Sequence, residues 1–220
     1  YRGADHRAIA AYEAGAPITA AAAAGFRRFH PRCGTSFLVV SAMVSIVVDG
    51  VERPKELVHA ERMTHWVRVL DPSASDAQLI AARAHHLRRW VSPRSDFPEG
   101  RAGYLQWRTA HKRRQVEELR ALLDPIGCPS GVVDDALAIV AKDGLRRGDH
   151  AAQVHEDALC LVFLELQLDE LAVRLGDDHT VEVLRKSAAK MSPHGLATAA
   201  EVGLSERGGR LLAAALAGPA

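Results

Sequence analysis

From residue 51 onward the hydrophobic positions recur at three- and four-residue steps, the spacing that lines one face of an α-helix. Leu57, Ala60, Met63, Val67 and Leu70 set a helix over about Lys55 to Leu70. Ser75 with Gln78 three places on is a capping box, and opens a helix predicted to run to about Val91. The polar stretch Ser92 to Gly100, with Pro93 and Pro98, reads as a loop. A long helix follows from about Ala102 to Leu123 and stops at Pro125-Ile126-Gly127. Ser130 is expected to cap a shorter helix to about Lys142, with a turn over Gly144 to Gly148. Asp149 or His150 starts the longest apolar helix, through Ala158, Leu161, Leu164, Leu168 and Leu171, ending at Gly176. Asp178 is expected to cap a helix to Met191, Ser192-Pro193 opens the next, and Ser205 to Ala217 closes the chain. The sum is an all-α bundle of about seven helices without an internal repeat.

Residues 1–48 have a different texture. An alanine block, Ala20 to Ala24, leads through Arg27, Arg28, His30 and Arg32 into an apolar, Val-rich run from Ser36 to Val48. As a helix that run would span about 20 Å, short of a hydrocarbon core of about 30 Å. It is expected to be a buried helix or strand, with a truncated membrane segment as the alternative. Asp49-Gly50 and then Pro54 are turn chemistry and mark a break. Two domains are therefore expected, 1–48 and 49–220.

Composition sharpens this reading. The chain has 220 residues, 48% hydrophobic and 25% charged, enough for a packed core. Only 5% are aromatic, which favours helices over a β-sandwich. A net charge of +1 argues against a protein that coats nucleic acid generally. Cys33, Cys128 and Cys160 are too few and too scattered for a disulfide framework. The chain opens on Tyr1 with no secretory signal, and reads as a fragment or processed product with a cytoplasmic location.

Two resemblances meet near residue 48. Residues 1–47 carry YRGADHRAIAAYEAG and FHPRCGTSF, and resemble a bacterial membrane-protein family described as predicted metal-dependent enzymes. The shared marks are Gly3, His6, His30, Pro31, Arg32, Cys33, Gly34 and Thr35, with Asp5 where Glu is usual. The resemblance implies that His6, His30 and Cys33 supply imidazole and thiolate of the kind that bind Zn²⁺. The span that follows HPRCGT in that family is cut short here, so an orphaned fragment is expected and membrane insertion is not.

VDGVERPKELVHAERM, AARAHHLRRW, PRSDFPEGRAGYLQWR, EDALCLVFLE and LRKSAAKMSPHG resemble the domain-of-unknown-function family 4202. Members are sometimes labelled as related to glutamyl-tRNA synthetase, but this chain is too short for aminoacyl transfer and shows no nucleotide-binding fold for it. The family looks distantly like the HD superfamily of metal-dependent phosphohydrolases, which holds a divalent metal with a His, a His-Asp doublet and a distant Asp. That likeness implies an HD-like bundle with His59 as the first ligand, His85 and His86 at the doublet, and Asp157 beside Glu156 as the last. His86 follows His59 by 27 residues and Asp157 follows His86 by 71. No carboxylate fills the doublet's second place, so a one-metal site is expected rather than a bridged pair. Adjacent helical side chains diverge by about 100°, so His85 and His86 need not share a site, and packed histidines are the plainer alternative.

Charge is segregated along the middle of the chain. Between Arg83 and Arg120 there are ten basic residues against four acidic, with Trp90, Tyr104 and Trp107 among them. Arg101, Tyr104, Arg108 and His111 share one helix face. Arg89, Arg94, Arg101, Trp107, Arg108 and His111 are the candidate phosphate- and substrate-binding residues, since Arg suits phosphate and aromatics suit bases. At least two of Arg89, Arg94, Arg101 and Arg108 are expected in one cavity with His86. The alternative is a face paired with Glu156, Asp157, Glu165, Asp169 and Glu170.

Two functions follow. One is a metal-dependent phosphohydrolase acting on a nucleotide or other phosphate ester with a divalent metal cofactor. The other is a non-catalytic domain that binds RNA, such as tRNA, or another anion.

Overall fold

The computed structural model describes residues 45–48 and 51–217. The chain divides into two units between Leu57 and Val58. In the first, strand β1, Ser45–Val48, pairs antiparallel with β2, Val51–Pro54, with Val48 opposite Val51 and Ser45 opposite Pro54. The end of the apolar run is thus a strand. Its earlier part, together with His6, His30 and Cys33, lies outside the described residues.

The second unit is helical, and the architecture is an all-α multi-helix bundle. Its elements are α1 (Lys55–Leu70, from Val58 onward), α2 (Asp76–Ala84), α3 (Gly100–Leu123), α4 (Ser130–Ala141), α5 (His150–Leu175), α6 (Asp177–Ala188), α7 (Pro193–Thr198) and α8 (Glu206–Leu216). Helix α5, 26 residues and about 39 Å long, is the central element. Its buried face, Val154, Ala158, Leu161, Leu164 and Leu168, packs with Met63, Trp66, Val67 and Leu70 of α1, Leu184 of α6, and Leu211 and Ala215 of α8. A second cluster joins Ala77, Ala81 and Ala84 of α2 to Leu119 and Leu123 of α3 and to Val133, Leu137 and Val140 of α4. Each fully buried Leu or Val in these clusters contributes about 2 kcal/mol.

Helix starts follow cap chemistry closely. Ser75 and Gln78 form the reciprocal capping box of α2. Asp149 caps α5, Ser192 caps α7 with Pro193 at its first position, and Ser205 caps α8. Two expected caps are displaced. Ser130 is the first residue of α4, after Pro129, and α6 starts after Gly176, which leaves Asp178 inside its first turn. Asp178 still favours that end of the helix through the dipole.

The ends differ more. Helix α2 stops at Ala84 rather than near Val91, and residues 85–88 are a turn with Arg88 in the left-handed region at φ 46°. The physical reason comes from another helix. The Gln115 amide of α3 donates to the carbonyl of Ala84 at 2.7 Å and to that of His85, and so takes the acceptors a helix end leaves open. Helix α3 begins with its side chains mostly exposed, and Arg113–Glu117 and Arg114–Glu118 pairs run along it. Its first turn packs against the preceding loop at Gly103, where a Cβ would lie 1.8 Å from the Pro98 oxygen.

Candidate metal centre

His59 projects from α1, His85 and His86 stand in the turn after α2, and His155 comes from the first turns of α5. Because α2 ends early, the 100° divergence of neighbouring helical residues no longer separates His85 from His86. One ligand atom from each of His59, His85 and His86 lies within 4.8 Å of the other two. The His59 and His86 rings stack with centroids 3.5 Å apart, and those of His59 and His85 lie 5.4 Å apart. His59 and the neighbouring His155 are each 2% exposed, whereas His85 is only half-buried, so the cluster runs from the interior toward its edge.

Burial acts on the charge of His85 and of its neighbour His155. It pushes the His85 pKa well below the ordinary imidazole value, helped by the positive forms of His155, His86 and His59 and by Lys142. Burial, and then Lys142, lowers His155 to about 3. Neutral imidazole is the form that ligates metal. His85 Nδ1 lies 3.0 Å from His155 Nε2, and one of the two must donate. With His85 Nδ1–H as the donor, the His85 Nε2 lone pair is left for a metal, the usual way an outer partner orients a ligating histidine. His155 Nε2 then accepts, so the single ring proton of neutral His155 sits on Nδ1, a buried atom with no hydrogen-bond partner among the described residues.

Neutral buried histidines make stability depend on pH in one direction. The unfolded chain takes up protons near the ordinary imidazole value of 6.5, whereas folded His155 resists protonation down to about 3. Stability is therefore full above pH 6.5, falls steadily on acidification, and stops falling from this source near pH 3. Urea unfolding over that range should show the decline, and His155→Gln should reduce its slope. A slope unchanged by His155→Gln would mean that His155 is not held neutral.

Asp157 is not among the clustered ligands. Its carboxylate accepts from the Ser192 backbone N–H at 2.9 Å, from Gln153 Nε2 at 2.9 Å and from Ser192 Oγ. At Gly195 a Cβ would meet Asp157 Cγ at 2.5 Å, so α7 closes directly over this carboxylate. Residues two apart on a helix point about 200° apart, so His155 and Asp157 face opposite sides of α5. His155 was missed in the sequence, although that offset from Asp157 was readable there. The neighbouring Glu156 pairs with Lys142, which holds the left-handed end of α4 at φ 58°.

The candidate phosphate residues separate. Arg89 Nη1 contacts His86 Nε2 at 2.7 Å, and its guanidinium lies 5.3 Å from the Trp107 ring centroid. His111 stacks on Trp107 at 5.6 Å, and its pKa is lowered by burial and then by Arg89. Arg89, Trp107 and His111 thus continue outward from His86. Arg94 instead donates to the carbonyls of Phe97 and Pro98, and fastens its own loop. Arg101 is exposed, and Arg108 lies over Tyr104 at 5.8 Å. For Arg113, Arg114 and Arg120 the alternative, a face paired with α5, is not what forms. Arg113, Arg114 and Arg120 pair with Glu117, Glu118 and Asp134, while Glu165 takes Arg62 and the Trp66 indole.

Three imidazoles brought together in a helical bundle define a helical domain with a candidate metal centre. The chain belongs to the family described as domain of unknown function DUF4202, whose model matches residues 44–212. No curated protein and no solved structure matches the chain. The membrane-family resemblance of residues 1–47 falls almost wholly before that match. Among the described residues, no helix is long and apolar enough to cross a membrane.

Proposed function

We propose that this chain is a metal-dependent phosphohydrolase of HD-like layout that acts on a nucleotide or other phosphate ester. The observation that carries the reading is the convergence of His59, His85 and His86 within 4.8 Å. Three imidazoles suit a borderline ion such as Zn²⁺, and three protein ligands with an open fourth position are the arrangement of catalytic zinc sites. An ion held there would supply an activated water and neutralise phosphate charge. His155 orients His85, and burial keeps both rings neutral for ligation. Arg89, beside His86 and over Trp107, offers a planar donor group to a phosphate. Free thiols at Cys128 and Cys160 suit a cytoplasmic location.

The exposed set Arg101, Tyr104 and Arg108 on α3 supports the second reading, an RNA-binding or other anion-binding domain. One experiment separates the two. The purified full chain, loaded with Zn²⁺ or Mn²⁺, is assayed on nucleotides and simple phosphate esters, and by tRNA titration at several salt concentrations. Hydrolysis that chelator removes and metal restores is the expected result. Salt-sensitive tRNA binding with no hydrolysis of any ester would overturn the hydrolase in favour of the binding domain.

A further inference from the structure

The contact between Arg89 and His86 carries a consequence for how the centre fills. A guanidinium is always protonated and has five donors and no acceptor, so at 2.7 Å the His86 Nε2 must be the acceptor. Neutral His86 then carries its single ring proton on Nδ1. In that state neither nitrogen can ligate, because one lone pair is given to Arg89 and the other position holds a proton. Ligation through Nε2 needs the lone pair that Arg89 now occupies. Ligation through Nδ1 moves the proton to Nε2, where it would point at the Arg89 N–H. Both routes end with Arg89 off His86.

We propose that Arg89 gates the centre: its hydrogen bond to His86 and ligation of a metal by His86 exclude each other, so that filling the site releases the guanidinium toward an incoming anion. This rests on the metal-centre reading above. The Trp107 ring, 5.3 Å from the guanidinium, holds Arg89 at the edge of the site after release. The donors freed from His86 then stay beside the metal position, where a phosphate oxygen would be received. Metal and tetrahedral anion are thereby coupled through one side chain.

The test uses the full chain with Zn²⁺ as the probe. Isothermal titration compares wild type, Arg89→Gln and Arg88→Gln, the last removing a neighbouring positive charge that pairs with Glu118 rather than with an imidazole. Arg89→Gln should bind Zn²⁺ about tenfold more tightly than wild type, the scale of one charge-assisted hydrogen bond no longer broken, and clearly more tightly than Arg88→Gln. In the wild type, the Arg89 Nε–H resonance should move when Zn²⁺ is added, and should stay put in His86→Ala. If Arg89→Gln fails to fold, that resonance decides. Zn²⁺ binding equal in Arg89→Gln and Arg88→Gln, with an unmoved resonance, overturns the gate and leaves the metal centre standing. A wild type and Arg89→Gln that both bind no Zn²⁺ overturn the centre and the gate together.

Discussion

His59→Ala is expected to lower the Zn²⁺ affinity of the full chain by about a hundredfold or more. Loss of an outer-sphere partner in metal sites costs about 10–100-fold, and His59 would be a direct ligand. Two remaining imidazoles leave poor geometry, and Asp157, committed to Ser192 and Gln153, does not replace the lost ligand. His59 is 2% exposed, so the alanine also leaves a cavity. His59→Gln, which keeps most of the volume, is the paired variant. Both should lose metal in a chelator-competition titration, while far-ultraviolet circular dichroism shows that the helices persist. Full metal affinity in a folded His59→Gln chain would remove His59 from the ligand set.

Asp157→Ala should do the reverse, with metal affinity unchanged and stability sharply reduced. The carboxylate is 2% exposed and receives the Ser192 N–H, the Ser192 hydroxyl and the Gln153 amide. Its removal strands these half-buried donors where α7 meets α5, at a cost of about 3 kcal/mol on the scale for charge-assisted bonds. In a chain of this size that lowers Tm by about 6–12 °C. Thermal unfolding and Zn²⁺ titration on the same sample check both halves. If the variant keeps its Tm but sheds the metal, Asp157 is a ligand and its contacts with Ser192 are incidental.

These opposed expectations mark the limit of family likeness for the site. HD-like spacing put His59, the His85-His86 doublet and Asp157 in one set. The structure keeps the three histidines, exchanges the aspartate for a contact with His155, and leaves Asp157 to hold α7. Spacing along a chain cannot tell which of two residues on a helix faces a given neighbour. The 200° offset between His155 and Asp157 shows only that both cannot face the same way. Likewise, arginine abundance between Arg83 and Arg120 was visible, but not that Arg89 is the one whose guanidinium is set 2.7 Å from His86. Arg94 is held by carbonyls of its own loop, and Arg113, Arg114 and Arg120 by nearby acids.

Local chemistry was enough for the helical framework. The apolar steps from Leu57 to Leu70 set α1, Ser75 and Gln78 start α2, and Asp149, Ser192-Pro193 and Ser205 start α5, α7 and α8. Capping and amphipathic periodicity act within a few residues, so the chain carries them in readable form. The end of α2 is different. Ala84 is its last residue because an amide 31 positions away, on Gln115, takes the carbonyls there. That contact exists only once α3 has packed against α2. It turns the backbone so that His85 and His86 can both meet His59, and so the centre depends on packing between helices rather than on any local signal.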